Sequence, residues 1–372
     1  ARPRAGRCRG ARATGRAPAN RGTTAAANGV AVPQSNSTGP VPVSWTASSG
    51  TPAPQGYGST RVWTSNSATA PACGSSPATL ITIGLSCTDS SVPDGVFHYT
   101  VTAVYNTWTA TSGSSGNVTV SVPNKLAFTT SPSASGTSGM ALPTQPVITV
   151  QNAAGSTVIT DTSSVTLALT TPNGATLACT QNPKAAVAGV AIFTGCQIDK
   201  VGTYTLTGTD GSLTSAISTN FTITAGAASR LAFTTQPGGS VTSGTSFSPQ
   251  PRVTFQDAAG NPVTTDTSTV TLSITSMTPT LGGPGTLSGC TQSEALGVVS
   301  LAGCRIDLAG GGYKLHAVDG TLTSVDSSAF DVTYGPATQI VLTGGANLAS
   351  GSAGTLTATV ADAAGNAVRS EG

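Results

Sequence analysis

Cysteine is the residue type in this chain with the clearest capacity for covalent chemistry. The sequence has seven cysteines, and apart from Cys8 they form three pairs with separations of 14, 17 and 14 residues. The paired positions are Cys73 and Cys87, Cys179 and Cys196, and Cys290 and Cys304. One close pair in each of three successive segments is typical of disulfides within domains, each contributing about 3 kcal/mol in the chain-entropy model. Zinc is the alternative, but the spacing C-x-x-C and an adjacent histidine are both missing.

A recurring acidic loop is the second candidate for chemistry. The residues D-A-A-G-N run from Asp257 to Asn261 and recur from Asp362, whereas an earlier copy of the loop has Asn152 in place of the acid. An aspartate can accept hydrogen bonds from nearby backbone N–H groups, and Gly260 can adopt a positive φ, so the segment predicts a hairpin loop. A calcium site is the alternative interpretation, although the loop offers one carboxylate and Ca²⁺ binds about six to eight oxygens.

Groups for acid–base or nucleophilic catalysis are sparse. His98 and His316 are the two histidines, and Glu294 and Glu371 are the two glutamates. The sequence alone assembles no Ser-His-Asp set within one segment, and it contains no G-x-S-x-G, H-E-x-x-H or phosphate-binding glycine motif. It therefore predicts that the chain is not an enzyme and has no catalytic, cofactor-binding or metal-binding residues.

Charge is concentrated at the start of the chain. The sequence has 16 basic and 14 acidic residues, and seven of the basic ones are arginines within the first 21 positions. Residues 1–28 have almost no apolar content, which predicts a disordered arm without a recognisable secretory signal. The rest of the chain is mildly acidic, so an interaction with nucleic acid would rest on the arm alone, and no nucleic-acid partner is expected. No apolar stretch is long enough for a transmembrane helix.

Internal repeats define the organisation of the remaining residues. K-L-A-F-T-T-S-P at 125–132 recurs as R-L-A-F-T-T-Q-P at 230–237, and 145–170 recurs at 250–275. A third copy begins near Thr338 and includes the loop at Asp362. A period of about 105 residues is too long for a solenoid repeat and suits one autonomous domain per copy.

Alternating apolar residues predict the elements that carry these loops. Val165, Leu167 and Leu169 alternate with polar residues, and Tyr313 and Leu315 do so in the second copy. This period of two marks strands with one buried face. Turn residues intervene every eight to twelve positions or so, as in an all-β sandwich.

Two stretches resemble known families. V-T-F-Q-D-A-A-G-N-P-V-T-T-D-T-S-T-V-T-L-S-I-T at 253–275 resembles the bacterial immunoglobulin-like repeats of invasin and intimin, and this resemblance covers about 125–372. Residues 40–122 resemble a fibronectin type III module, with V-P-V-S-W-T-A-S as an early strand and D-G-V-F-H-Y-T-V-T-A-V as a late one. The second resemblance implies that Trp45 lies in the core and that Tyr99 forms the corner hydrogen bond.

The resemblances and repeats together predict the fold class: all-β, with tandem immunoglobulin-like β-sandwich domains in an elongated array. The expected domains are a disordered arm at 1–28, a fibronectin type III-like sandwich at 29–124, immunoglobulin-like repeats at 125–228 and 229–336, and the truncated start of a third repeat at 337–372. Short linkers at 123–126, 224–231 and 333–339 would restrict bending between them.

The same resemblances imply a function. Such modules act as stalks, spacers or adhesive segments, so we expect a non-enzymatic structural or adhesive segment of a bacterial extracellular or cell-surface protein. The disulfides independently predict an oxidising compartment. The expected partners are a surface glycan or protein and further repeats of the same chain. The alternative is a set of carbohydrate- or protein-binding accessory modules of a larger secreted enzyme.

Overall fold

The computed structural model describes residues 25–36, 38–49, 53–75, 79–82, 84–90, 92–344 and 354–368. In these ranges the backbone forms strands, turns and irregular segments, and none of it is a helix that could cross a membrane. The strands are grouped around three separate hydrophobic cores, which confirms the predicted all-β fold of tandem sandwiches. Cys8 and the arginine-rich part of the arm lie outside the described residues.

The first sandwich (residues 25–122) contains nine strands in two sheets. They are β1 (Asn28–Ala31), β2 (Ser35–Asn36), β3 (Val41–Thr46), β4 (Gly56–Trp63), β5 (Thr69–Ala72), β6 (Ser86–Asp89), β7 (Gly95–Tyr105), β8 (Trp108–Thr111) and β9 (Val118–Val120). One sheet has the order β1-β3-β6, and the other has the order β2-β9-β7-β4-β5 with β8 paired to β7. The two sheets pack face to face over one core.

Alternation of apolar and polar residues builds the core of the first sandwich. β3 buries Val43 and Trp45 on one side, and β7 buries Phe97, Tyr99 and Val101. Each fully buried large apolar side chain contributes about 1.5–3 kcal/mol. Trp45 therefore lies in the core, as the resemblance to fibronectin type III implied.

The first sandwich begins earlier than the sequence indicated. Ala27 is fully buried in its core, and Asn28 pairs with Thr46 on β3. Both residues belong to the predicted arm, which is rich in Arg, Gly and Ala, and one alanine in such a segment gives no period-two signal. The burial of Ala27 depends on a strand pairing that is distant in sequence, which the local composition does not reveal.

Repeat 1 (residues 125–224) contains twelve strands. They are β10 (Lys125–Thr130), β11 (Ser135–Thr137), β12 (Val147–Gln151), β13 (Ser164–Leu169), β14 (Leu177–Ala178), β15 (Lys184–Ala185), β16 (Val190–Ile192), β17 (Gln197–Ile198), β18 (Gly202–Tyr204), β19 (Leu206–Thr209), β20 (Ala216–Ile217) and β21 (Phe221–Thr224). The sheets have the orders β10-β12-β16, β15-β13-β19-β20, β11-β21-β18 and β14-β17.

Repeat 2 (residues 230–333) has the same plan with thirteen strands. They are β22 (Arg230–Thr235), β23 (Ser240–Thr242), β24 (Arg252–Gln256), β25 (Thr271–Ile274), β26 (Leu281–Gly282), β27 (Leu287–Ser288), β28 (Thr291–Ala295), β29 (Val298–Ala302), β30 (Arg305–Ile306), β31 (Gly310–Tyr313), β32 (Leu315–Val318), β33 (Val325–Asp326) and β34 (Phe330–Thr333). The sheets have the orders β22-β24-β29-β28, β23-β34-β31-β26, β25-β32-β33 and β27-β30.

Two paired strands, called the final hairpin below, follow repeat 2. Its strands are β35 (Gln339–Gly344) and β36 (Leu356–Ala361), which pair antiparallel with Gln339 opposite Ala361. Repeat 2 opens in the same way, with Arg230 on β22 opposite Gln256 on β24. The final hairpin therefore has the same strand pairing as the first two paired strands of repeat 2.

Candidate functional site

Two strand pairings bring Ser138 and Asp257 to the linker between repeats 1 and 2. β11 runs parallel to β21, the last strand of repeat 1, so Ser138 directly after β11 lies beside Thr224 and donates its amide to the Thr224 carbonyl at 2.9 Å. In repeat 2, β24 is antiparallel to the first strand, with Gln256 opposite Arg230. Asp257 therefore lies where the chain begins repeat 2, and both side chains face the same joint.

The carboxylate of Asp257 is the centre of this joint. It is 2% exposed and accepts hydrogen bonds from the Ser138 hydroxyl of repeat 1, from the Gly226 amide of the linker at 3.1 Å and from the Asn261 amide at 2.8 Å. Burial alone would raise the pKa of Asp257, but the hydrogen bonds outweigh it and lower the pKa to about 2. The acid is therefore ionised at neutral pH, and hydrogen bonds compensate its charge.

Asn261 closes the joint from the other side of the loop. Its Nδ2 donates to the Asp199 carbonyl of repeat 1 at 2.8 Å, and its Oδ1 accepts from the Val201 amide of repeat 1 at 3.1 Å. The same Nδ2 lies 3.1 Å from Oδ2 of Asp257. An amide side chain can donate and accept at once, so Asn261 satisfies a peptide carbonyl and a peptide N–H that face it from the neighbouring repeat.

The joint between repeat 2 and the final hairpin repeats this arrangement. Asp362, 1% exposed, accepts from the Ser243 hydroxyl at 2.6 Å, from the Gly335 amide at 2.8 Å and from the Asn366 amide at 2.8 Å. The Asn366 side chain donates to the Asp307 carbonyl at 3.0 Å. Burial opposes ionisation here too, and the hydrogen bonds from Ser243, Gly335 and Asn366 lower the pKa of Asp362 far below its usual value.

The loop itself has the predicted hairpin geometry. Gly260 has a φ of +86° and donates its amide to the Asp257 carbonyl at 3.0 Å, while the Asp257 amide donates to the Asn261 carbonyl at 3.0 Å. The groups around the Asp257 carboxylate are N–H and O–H donors, whereas Ca²⁺ binds oxygen ligands. In the described ranges, no three His, Cys, Asp or Glu side chains gather as a metal site. The donor set thus fits a joint better than the calcium alternative.

The joint between the first sandwich and repeat 1 is different. Here the loop carries Asn152, which is 6% exposed and donates from Nδ2 to the Ser121 hydroxyl of the first sandwich at 3.2 Å. Its Oδ1 accepts from the Ser156 amide within the loop at 2.9 Å. Ser156 occupies the place of Asn261, and its shorter side chain has no amide group with which to reach two peptide groups across the joint.

The structure joins the cysteines in the three pairs that the spacing indicated. In repeat 1 the Cys179–Cys196 bond lies at the end of the two-stranded sheet β14-β17, and in repeat 2 the Cys290–Cys304 bond lies at the end of β27-β30. The Cys73–Cys87 bond of the first sandwich instead connects the residue directly after β5 in one sheet with β6 in the other. The repeats therefore share a disulfide position that the first sandwich does not have.

Gln145 holds the disulfide strand of repeat 1 in place, which the sequence interpretation missed. Its side chain accepts from the Cys196 amide at 2.8 Å and donates to the Leu142 carbonyl at 2.8 Å. Gln250 makes the same bond to the Cys304 amide at 3.1 Å in repeat 2. The recurrence of Gln-Pro at 145–146 and 250–251 was the available signal.

A buried ion pair lies inside the first sandwich. Arg61 on β4 donates to Asp89 on β6 at 2.8 Å, and both side chains are less than one tenth exposed. The Arg61 guanidinium also lies over the ring of Trp63, 5.0 Å from its centroid, and over that of Phe97, 5.6 Å from its centroid. The pair connects the two sheets through the core, where the aromatic rings stabilise the cation.

Tyr99 contributes to this cluster rather than to a corner hydrogen bond. Its hydroxyl donates to the Asp89 carboxylate at 3.0 Å. Burial, together with the charge of Asp89, raises the pKa of Tyr99 well above its usual value. The resemblance implied a corner bond for this residue, and the difference arises because Asp89 offers a stronger, charged acceptor inside the core.

The sheet of repeat 2 aligns three residues that sequence reasoning did not assemble. On neighbouring strands, Ser273 lies opposite His316, and His316 lies opposite Asp326 with 2.6 Å between Nδ1 and Oδ1. In repeat 1 the corresponding positions on the neighbouring strands are Ala168, Thr207 and Ile217. Both acid–base side chains are more than one third exposed. His98 lies on the side of β7 opposite Phe97 and Tyr99 and is half-buried.

Comparison with known proteins supplies structural neighbours. No protein-family model and no curated protein matches the chain. The solved FN1-FN3 domains of chicken CNTN1 align with 82% of this chain and 99% of their own at 11% identity and a TM-score of 0.26. Domains 4-9 of the surface layer protein SbsC align with 83% of this chain and 44% of their own at 17% identity and 0.28. The D0-D1 domain of intimin aligns with 56% of this chain and 98% of its own at 15% identity and 0.22.

Proposed function

We propose that the chain is a non-enzymatic structural or adhesive segment of a bacterial extracellular or cell-surface protein. In this role the sandwiches hold other parts of the protein away from the cell envelope. The single observation that carries the proposal is the repeated joint, in which Asp257 and Asp362 make equivalent bonds to the preceding repeat. Buried, hydrogen-bonded joints restrict bending, which a spacer requires and a flexible linker does not provide.

The cysteines support an extracellular location. All six cysteines in the described ranges are paired in the structure, and disulfides persist in oxidising compartments. The low charge of the chain and its exposed strand faces, which are rich in Ser and Thr, are compatible with an extracellular location. A surface glycan or a protein is the partner class that we propose for these faces.

The final hairpin supports further repeats as partners within the same chain. Ile340, Leu342 and Val360 are each about half or more exposed, whereas Leu231 and Phe255, the residues that correspond to the first and last of them, are buried in repeat 2. We propose that the hairpin is the start of a third immunoglobulin-like repeat and that the other strands of that repeat cover this apolar face.

Small-angle X-ray scattering of the full chain tests the proposed spacer. A rod of docked sandwiches predicts a maximum dimension close to the summed lengths of the units, with the pair-distance distribution skewed to long distances. A symmetric distribution typical of a globular particle would contradict it.

Carbohydrate- or protein-binding accessory modules of a larger secreted enzyme are the second candidate. A cleft of about 420 Å³ in the first sandwich favours it, because uncharged hydroxyl and amide side chains line much of it, including Thr60, Thr102, Asn106 and Thr109. A glycan array probed with the full chain would support this candidate if binding were lost on Asn106→Ala. Absence of binding across the array would favour the spacer.

A further inference from the structure

We propose that the D-x-x-G-N loop and the Ser-Gly turn of the preceding repeat are a matched docking pair. Through this pair an immunoglobulin-like repeat selects another such repeat as its upstream neighbour. The inference deepens the proposed spacer function and rests on it for its biological meaning. In structural terms, the downstream end of one repeat is an interaction surface that specifically binds the D-x-x-G-N loop of the next repeat.

The first argument is the recurrence of the contacts in both joints. A serine hydroxyl, a linker glycine amide and the loop asparagine amide all donate to the aspartate in each case. The asparagine side chain accepts from Val201 in the first joint at 3.1 Å and from Ala309 in the second at 2.8 Å. Since these two donors are backbone amides of different residue types, the loop recognises the backbone shape of a repeat end rather than a local side chain.

The second argument is the fit between the loop tip and the turn. Gly139, which follows Ser138, has a φ of +69°, and a Cβ placed there would lie 3.8 Å from Cβ of Ala259. At the second joint Gly244 has a φ of +70°, and the corresponding distance to Ala364 is 3.6 Å. Glycine adopts this backbone region without the strain of a side chain. The turn thus presents a flat surface on which the small loop tip rests.

The third argument is the penalty for a wrong neighbour. A carboxylate buried without donors is strongly destabilising, so a D-x-x-G-N loop requires an upstream end that supplies a hydroxyl and the correct peptide groups. The loop of repeat 1 follows the first sandwich, which presents Ser121 instead, and it carries Asn152 and Ser156 in place of the acid and the amide. The two loop positions change together where the type of neighbour changes.

The test is to give repeat 2 the loop residues of repeat 1 in the full chain, with Asp257→Asn and Asn261→Ser. NMR amide exchange then measures the joint at Val201 and Gly226, whose N–H groups donate across it. Loss of these bonds is expected to accelerate exchange at both amides about tenfold or more. Residual dipolar couplings are expected to show that repeats 1 and 2 no longer share one alignment.

The chain supplies its own controls. The amides of Ala309 and Gly335 report the second joint and should keep their protection, and Val253 and Val299 on paired strands report that repeat 2 remains folded. Asp331→Asn removes an exposed acid of repeat 2 away from the joint and should leave Val201 unchanged. Unchanged protection at Val201 together with an unchanged common alignment in the double variant would overturn the docking pair. Such a result would leave the spacer proposal intact, because scattering tests it separately.

Discussion

The first sandwich and the two repeats bury their charged groups in different places. In the first sandwich, Asp89 pairs with Arg61 inside the core, between two sheets of one domain. In the repeats, Asp257 and Asp362 lie at the ends, where one unit meets the next. A buried charge is costly unless it is compensated. Its location therefore identifies the contact that depends on it, which is within a domain in the first case and between domains in the second.

The comparison predicts that Asp89→Ala has the largest effect. The substitution leaves the Arg61 guanidinium buried without its carboxylate and the Tyr99 hydroxyl without its acceptor, and we expect it to lower the free energy of unfolding of the first sandwich by about 3–5 kcal/mol. Denaturation followed by tryptophan fluorescence measures this unit alone, because it contains all three tryptophans: Trp45, Trp63 and Trp108.

Tyr99→Phe is the matched control for this prediction. It removes one hydrogen bond to a charged group and keeps the ion pair, so the expected loss is smaller, about 1.5–3 kcal/mol. If Asp89→Ala lowered amide protection in repeat 2 as strongly as in the first sandwich, the three cores would not behave as independent units.

Removal of a disulfide is expected to have the next largest effect on stability, and it can be compared between repeat 1 and the first sandwich. Replacing Cys179 and Cys196 with alanine opens a short loop in repeat 1 and is expected to lower its stability by about 3 kcal/mol. Hydrogen exchange of peptides from β13 and β19 measures the change. The matched variant replaces Cys73 and Cys87, which connect two sheets instead of closing one small sheet. Similar losses would mean that loop length decides the stabilisation, and a much greater loss at Cys73 would contradict that model.

Alkylation without reductant should modify Cys8 alone, and six further free thiols would refute the pairing.

Local patterns were sufficient to predict the strands and the cysteine pairs. Leu167 on β13 is buried as the period of two predicts, because a strand with one covered face must alternate. The loop at Asp257 was also predicted as a hairpin, because Gly260 and the acid determine the turn locally. The partner of the acid was not predictable, since Ser138 is 119 residues distant and reaches it only through the parallel pairing of β11 with β21.

The ion pair in the first sandwich was missed for the same physical reason. Arg61 and Asp89 stand on strands of opposite sheets, and nothing near either residue in the sequence indicates that they meet. A charged residue that interrupts an alternating strand was the available signal. The alignment of Ser273 with His316 likewise depends on register across strands, which sequence spacing does not define.

Acid is expected to loosen the joint between repeats 1 and 2 by protonating Asp257. Hydrogen bonds from the joint and from its own loop lower the pKa of Asp257 from 3.8 to about 2, so the resulting stabilisation is fully present above about pH 5 and is lost as the pH falls through 2. The difference corresponds to about 2 kcal/mol. The amide proton shifts of Gly226 and Asn261, measured against pH, should titrate with a midpoint near 2. A midpoint near 3.8 would mean that neither the joint nor the loop stabilises the carboxylate.

The smallest expected effects come from two substitutions of Gly226, which distinguish loss of its N–H donor from crowding by an added side chain. Gly226→Ala keeps the amide that donates to Asp257, and the added Cβ would lie 3.6 Å from Thr137 and 3.7 Å from Asp257, which is ordinary contact. Its effect on repeat docking, measured by exchange at Val201, should stay within about 0.5 kcal/mol. Gly226→Pro removes the N–H and should weaken docking by about 1.5 kcal/mol, as loss of a bond to a charged acceptor does. Equal effects of the two variants would assign the change to crowding of the linker, and the compensation of Asp257 would then rest on Ser138 and Asn261 alone.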